Sequence, residues 1–297
     1  MLPSFLQPGD RIHIVSPSGS IDSAFIDGAK KVLASKGFYV TEGKFARGEY
    51  GRFAGTVDER IADMQEAIDS SEVKAILCSR GGYGVSQIID KIDFSLFRQR
   101  PKWLIGFSDI TILHAAINRA EIASIHGIMA KHITELPENC EQLNKMLEIL
   151  MGKFPVYTVK GETINKPGKA SGVLVGGNLS VLMGLRGTPF EPDYEGKILF
   201  IEDIAEKPYH IDRMMQNLRL SGIMDKISGL VVGQFSDCEE DPLMHQTING
   251  IILSAVGNNN YPVCFNFPAG HVDDNLPLVL GASVSLEVNV TNAILSF

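Results

Sequence analysis

The sequence predicts an α/β protein of two domains: an N-terminal parallel-sheet α/β domain that presents a nucleophile elbow, and a β-rich C-terminal α/β domain. Three observations carry this. Short apolar runs alternate with segments of helical period through the first half. One such run, Trp103 to Phe107, ends directly on Ser108, where helical spacing begins. Past residue 155 the periodicity fails over a stretch rich in glycine and proline, and the remainder of the chain is richer in strands.

Taken in order, Ile12, Ile14 and Val15 form a strand closed by Ser16-Pro17-Ser18-Gly19, and Phe25, Ile26, Ala29, Val32 and Leu33 recur at helical spacing until Gly37. Thr56 and Glu59 make a capping box ahead of Ile61, Met64 and Ile68, and Ala75 to Cys78 reads as a buried strand. The strand from Trp103, the helix after Ser108, the run around Ile125 and a helix marked by Leu143, Met146, Leu147 and Leu150 continue the alternation. A parallel sheet covered on both faces is expected, with ligands at the carboxyl ends of its strands. Both Arg80-Gly81-Gly82-Tyr83-Gly84 and Ser108 lie at such ends. The predicted domains are residues 1–155 and 170–297, joined by a linker over 156–169. In the second, Ile198 to Ile201, Leu230 to Val232 and the alternating Val284, Leu286, Val288 read as strands, with a helix over Ile211 to Leu220.

With 297 residues, 44% hydrophobic and 21% charged, the composition is that of a soluble globular chain. A formal charge of −8, with no basic run or aromatic-interleaved patch, argues against nucleic acid as a partner. The opening MLPSFLQPGDRI lacks the basic and long apolar regions of a leader, and no segment reaches the ~18 apolar residues of a membrane span. The chain reads as cytoplasmic, with no membrane partner. Cys78, Cys140, Cys238 and Cys264 form no C-x-x-C pair, so free thiols are expected rather than a disulfide or zinc framework.

A serine at a tight strand-to-helix turn can present its hydroxyl as a nucleophile, or serve as the N-cap of the helix it precedes. Gly106 meets the first glycine of G-x-S-x-G, whereas Ile110 stands where the second belongs. A nucleophilic serine needs a base, and the base an orienting acceptor. His271 comes after the apolar run Val263 to Phe267 at a strand end, a position that, judged alone, more often holds a surface-loop histidine. Glu202 closes the run Ile198 to Ile201, with Asp203 next to it; strand-end solvation is its other reading. The order Ser108, Glu202, His271 is that of α/β-hydrolases. In the glycine loop, the N–H of Gly82 could join that of Asp109 as an oxyanion hole, or the loop could be a tight βα turn. Asp237, Glu239, Glu240 and Asp241 fit no metal spacing, His126 and His132 lack an H-E-x-x-H frame, and Cys78 sits in a core strand pattern.

Together these segments resemble the LD-carboxypeptidase family of serine peptidases, which includes murein tetrapeptide carboxypeptidases and microcin C self-immunity proteins. The resemblance runs through GDRIHIVSPSG, CSRGGYG, WLIGFSDITILH, GVLVGGNLSVL, ILFIEDIAEKPYHIDRMM and FPAGHVDDNLPLVLG. It implies Ser108 as nucleophile in the first domain, Glu202 as acid and His271 as base in the second, and Gly82 and Asp109 at the oxyanion. It implies cleavage of the bond between an L-centre and a terminal D-amino acid, as in release of D-alanine from muropeptides in cell-wall recycling, with no metal or other cofactor and often as a homodimer. The terminal carboxylate would be held by Arg80, with Arg186 the second choice. Asn178 is a candidate substrate contact or the N-cap of the helix it precedes. Two other readings stand: a microcin-immunity-type hydrolase of peptidyl- or aminoacyl-nucleotides, which would need an aromatic platform that strand-bound Trp103 does not supply, and a non-catalytic binding protein for a small metabolite.

Overall fold

The computed structural model describes all 297 residues. They divide into two compact units, the first Met1–Lys153 with Leu276–Leu280, the second Phe154–Asn275 with Gly281–Phe297.

In unit 1 the expected alternation forms a parallel sheet from β1 (Arg11–Val15), β2 (Tyr39–Glu42), β3 (Val73–Cys78), β4 (Trp103–Gly106) and β5 (Ser124–His126). The spatial order is β5-β4-β3-β1-β2, extended beyond β5 by the antiparallel strand Leu278–Leu280. Its inner strands are apolar on both faces, as a sheet covered by helices requires: Ile12, Ile14, Ile76, Leu77, Leu104 and Ile105 are all buried. The helices are α1 (Ser23–Ser35), α2 (Val57–Asp69), α3 (Ser95–Gln99), α4 (Thr111–Arg119), α5 (Ala130–Glu135) and α6 (Glu141–Leu150). The Thr56–Glu59 capping box forms at the start of α2. Its inward face differs from the expected Ile61, Met64, Ile68 stripe. Arg60, Asp63, Met64, Ala67 and Ile68 are buried, so two charged residues turn toward the interior.

Unit 2 holds a seven-stranded sheet built from β6 (Val156–Lys160), β7 (Gly168–Asn178), β8 (Ile198–Ile204), β9 (Gly229–Ser236) and β10 (Val263–Cys264). After β11, the Leu278–Leu280 strand of unit 1, come β12 (Ser283–Val288) and β13 (Asn292–Ser296). The order is β10-β9-β8-β7-β12-β13-β6. The β10–β7 half is parallel and the β7–β6 half antiparallel. Strand β7 belongs to both halves: residues 168–173 pair with β12, residues 174–178 with β8. On one face of the parallel half, Leu199, Ile201, Leu230 and Val232 pack with residues of α7 (Leu179–Gly184), α8 (Pro208–Leu220) and α10 (Ile248–Val256), with the short α9 (Ile223–Lys226) beside them.

Two expectations need correction. Residues 156–169 are not a linker, because β6 lies there and is hydrogen-bonded to β13 along its length. Nor does the first unit end for good near residue 155: the chain returns at Leu276–Leu280 to complete its sheet.

Candidate active site

In unit 1, β4 runs into a single 3-10 turn, Ser108–Ile110, that leads to α4. Ser108 takes φ 66°, left-handed backbone that costs a non-glycine residue about 1–2 kcal/mol and is retained where surrounding structure enforces it. The turn is capped by Phe107, and no side chain bonds its first N–H groups, so Ser108 is not an N-cap. Ile110, standing where G-x-S-x-G wants glycine, is fully buried beneath the turn. Gly81 lies against the serine: a Cβ there would come within 2.8 Å of Ser108 Cβ and 3.0 Å of its Oγ, so only glycine lets the loop approach. Gly82, next along, has φ +119°.

Asp109 is 3% exposed, and its Oδ2 accepts from Ser18 Oγ at 2.6 Å and from the Val85 N–H at 2.9 Å. Burial pushes its carboxyl pKa up, opposed by those hydrogen bonds and by the nearby Arg60 charge. Arg80, the candidate for a substrate carboxylate, is half-buried and donates one Nη1 hydrogen bond to the Ser20 carbonyl at 3.0 Å. The Cys78 thiol is fully buried and burial pushes its pKa upward, the opposite of an activated nucleophile.

In unit 2, strand alternation separates the two adjacent carboxylates. Glu202 shares the face of Phe200, while Asp203 shares that of Leu199 and Ile201, toward α7. Glu202 Oε2 accepts from His271 Nδ1 at 2.8 Å, the acid fully buried and the imidazole mostly so. A carboxylate accepts, so Nδ1 carries the proton and Nε2 is the basic nitrogen. The loop before the histidine fits closely around the acid. Gly270 has φ +121°, and a Cβ there would meet Glu202 Oε2 at 2.8 Å; its N–H donates to Asn275 Oδ1 at 2.9 Å. Asp203 is occupied elsewhere: it accepts from Asn178 Nδ2 at 3.0 Å and from the Ser180 N–H at 2.8 Å, and burial pushes its pKa up to about 6.

Asn178, 3% exposed, caps α7: its Oδ1 accepts from the Val181 N–H and the Ser180 hydroxyl while its amide holds Asp203. Both ends of the side chain serve the fold, so of its two readings the structure displays the cap. Arg186 is ion-paired with Glu191. Sequence reasoning passed over Ser18 and Arg60 in unit 1 and Asn275 in unit 2. Ser18 and Asn275 lie inside motifs already singled out, and Arg60 is a charge on the apolar side of an amphipathic helix.

Comparison with known proteins decides the family. Residues 12–127 match the model of the LD-carboxypeptidase N-terminal domain, and residues 171–286 that of the LD-carboxypeptidase C-terminal domain. The chain is 36% identical to a probable murein peptide carboxypeptidase of Bacillus subtilis, covering 99% of this chain and 93% of that one. The chain belongs to the LD-carboxypeptidase family. Among solved structures, a muramoyltetrapeptide carboxypeptidase from Oxalobacter formigenes matches this LD-carboxypeptidase with a TM-score of 0.87 and 30% identity, over 96% of this chain and 98% of that one. The microcin C7 self-immunity protein MccF, in complex with aspartyl sulfamoyl adenosine, shares the fold at TM-score 0.88 and 22% identity, over 100% and 98%. As a member of this family the protein is an enzyme, an LD-carboxypeptidase. Ser108 falls within the segment matched by the N-terminal model, Glu202 and His271 within that matched by the C-terminal one.

Proposed function

We propose that the protein is a serine carboxypeptidase that releases a terminal D-amino acid, D-alanine, from muropeptides by cleaving the bond to the preceding L-centre. The observation that carries this is the buried Glu202 carboxylate bonded to His271 Nδ1, which leaves Nε2 basic, in a chain whose relatives include a probable murein peptide carboxypeptidase. His271 Nε2 takes the Ser108 hydroxyl proton as the oxygen attacks the scissile carbonyl, and Glu202 holds the imidazole tautomer and stabilises the imidazolium. The N–H groups of Gly82 and Asp109 receive the oxyanion. The imidazolium then protonates the leaving amine, and water, deprotonated by the same nitrogen, releases the acyl group. Arg80 is assigned the substrate's terminal carboxylate by charge and its place at the head of the glycine loop. A cytoplasmic, recycling role and a homodimer belong to the same reading; no helix is long and apolar enough to cross a membrane.

The nucleotide-hydrolase alternative gains nothing from Trp103, which is fully buried with its Nε1 donating to the Ser4 carbonyl at 3.1 Å. The test is incubation with L-alanyl-D-glutamyl-diaminopimelyl-D-alanine, with its isomer ending in L-alanine, and with an aminoacyl sulfamoyl adenosine, products read by mass. Loss of D-alanine from the first peptide alone is expected, together with fluorophosphonate labelling of Ser108 and loss of both in Ser108→Ala. Turnover by a folded Ser108→Ala protein overturns the serine mechanism; cleavage of the adenosine compound alone moves the substrate to the alternative class. Absence of any labelling or turnover would favour the binding protein.

A further inference from the structure

We propose that the Asp109 carboxylate, Ser18 and Arg60 are positioning residues that staple the glycine loop against the Ser108 elbow, so that Asp109 serves the reaction through its side chain as well as through its main-chain N–H. The inference deepens the serine-peptidase reading and rests on it.

The glycine loop, residues 80–84, has little of its own to hold it. Gly82 and Gly84 carry φ +119° and +147°, backbone that glycine reaches readily and also leaves readily. An oxyanion hole works by having its donors aimed before charge develops, and losing one donor typically costs 10²–10³ in kcat. A loop of glycines that is to hold a donor in place therefore needs external anchors.

Three are visible, all within unit 1. The Asp109 Oδ2 atom, one residue from the nucleophile, accepts from the Val85 N–H immediately after the loop, and from the Ser18 hydroxyl on the loop beyond β1. Arg60, 2% exposed on α2, donates through one nitrogen, Nη1, to the Pro17 carbonyl at 2.9 Å and to the Gly84 carbonyl at 2.8 Å. Its Nη2 donates to Gln87 Oε1 at 2.7 Å, its Nε to the Gly55 carbonyl at 3.2 Å, and its Cζ lies 4.9 Å from the Phe53 ring centroid. Every partner of the guanidinium is thus on a loop or turn rather than another charge. The two loops are closed on each other by the Gly19 N–H donating to the Gly81 carbonyl at 3.3 Å, and Gly81 is the residue in contact with Ser108.

The chemistry of the anchors fits this work better than it fits stability alone. A buried carboxylate accepts two hydrogen bonds on one oxygen, joining the loop beyond β1 and the residue just after the glycine loop to the elbow itself. A buried guanidinium is the side chain able to satisfy several carbonyls in fixed directions; an ammonium lacks the planar fork. Both groups stay desolvated, a cost typical of sites where geometry is being enforced. The inward turn of Arg60 on α2 is explained by this use.

The test compares wild type with Asp109→Asn, Ser18→Ala and Arg60→Lys, using the diaminopimelyl tetrapeptide and a fluorophosphonate to titrate active sites. The expected result for Asp109→Asn is a kcat per labelled site about 10- to 100-fold lower with KM within about threefold, and a correspondingly slower labelling rate, because the phosphonyl oxygen needs the same donors. Arg60→Lys should show the same split to a smaller degree. A merely structural role would lower the melting temperature and the fraction of labelled protein while leaving kcat per labelled site unchanged, and that result overturns the inference. Should Asp109→Asn fail to fold, Ser18→Ala, which removes one bond of the staple and keeps the carboxylate, decides by the same criteria. Failure of wild type to label at Ser108 overturns instead the serine mechanism beneath it.

Discussion

Glu202 and Asp203 are alike in composition and adjacent in sequence, yet their surroundings assign them different work. One carboxylate meets an imidazole; the other accepts from the first turn of α7 and from Asn178. Glu202→Gln should therefore lower kcat by orders of magnitude, toward the ~10⁴-fold seen when an orienting acid becomes an amide, with KM little changed. Asp203→Asn should act mainly on the melting temperature, since the amide can replace only part of an acceptor shared by Ser180 and Asn178. Side-by-side kinetics and melts of the purified variants check this, and an inactive Asp203→Asn beside an active Glu202→Gln would reverse the assignment. At this scale the pairing was legible from the family resemblance, which assigns the role to Glu202; strand alternation adds only that the two neighbours face opposite ways. The roles of Arg60 and Asn275 were not legible, because the value of a buried polar side chain depends on carbonyls and N–H groups brought from distant sequence, which neither an inward charge on a helix nor a place in a motif reveals.

Helix α4 is tied to both β4 and β5 through a buried histidine. His114 is fully buried, with Nε2 donating to the Gly106 carbonyl at 2.8 Å and Nδ1 accepting from the Ser124 hydroxyl at 2.8 Å, so it links α4 to β4 and β5 just ahead of the elbow. Burial lowers its pKa to about 4, partly offset by the Gly106 carbonyl. The imidazole stays neutral in the folded protein while in the unfolded chain it binds a proton below the ordinary value near 6.5. The unfolded state thus gains more protons as pH falls from about 6.5 toward 4, and stability is lost over that window, by roughly 2 kcal/mol at about pH 5. Asp63 and Asp203, both pushed up to about 6 by burial, run the other way: they are protonated more readily when folded and favour folding as pH falls through 6. The whole-protein curve sums these, so the His114 contribution is read from urea melts of wild type against His114→Gln. The stability advantage of wild type should shrink on going from pH 7 to pH 5; a constant difference would place the shift elsewhere. Among elements, those with a polar and an apolar side were readable in the sequence, such as α1, α2 and α6. Helix α10 was not, because Ile248–Val256 is apolar around most of its circumference and shows no period. Strand β6 hid among breakers, its pairing partner β13 lying more than 130 residues away.

For the molecule as a whole, alternation of strand and helix exposed the parallel sheet of unit 1, and the change of pattern after residue 155 placed the domain boundary within a few residues of Lys153. The late return to the first sheet had no local sign, since Leu278–Leu280 is three apolar residues that could pair with any open edge. The proposed homodimer is checked by light scattering, where twice the mass of the chain is expected at micromolar concentration; a monomer at all concentrations would remove that part of the reading.

That late return sets an order on biosynthesis. The partner of β5 on one side is translated only when residues 278–280 are made, after nearly all of the second unit. A nascent chain that has folded the first unit therefore carries an open strand edge at Ser124–His126 until residues 278–280 are made, and an exposed edge is a template for wrong pairing. A fragment cut at the apparent boundary inherits the same defect permanently. The segment that closes the sheet begins one residue past Asn275, which holds the loop of the histidine, so a chain that stops short of one also endangers the other.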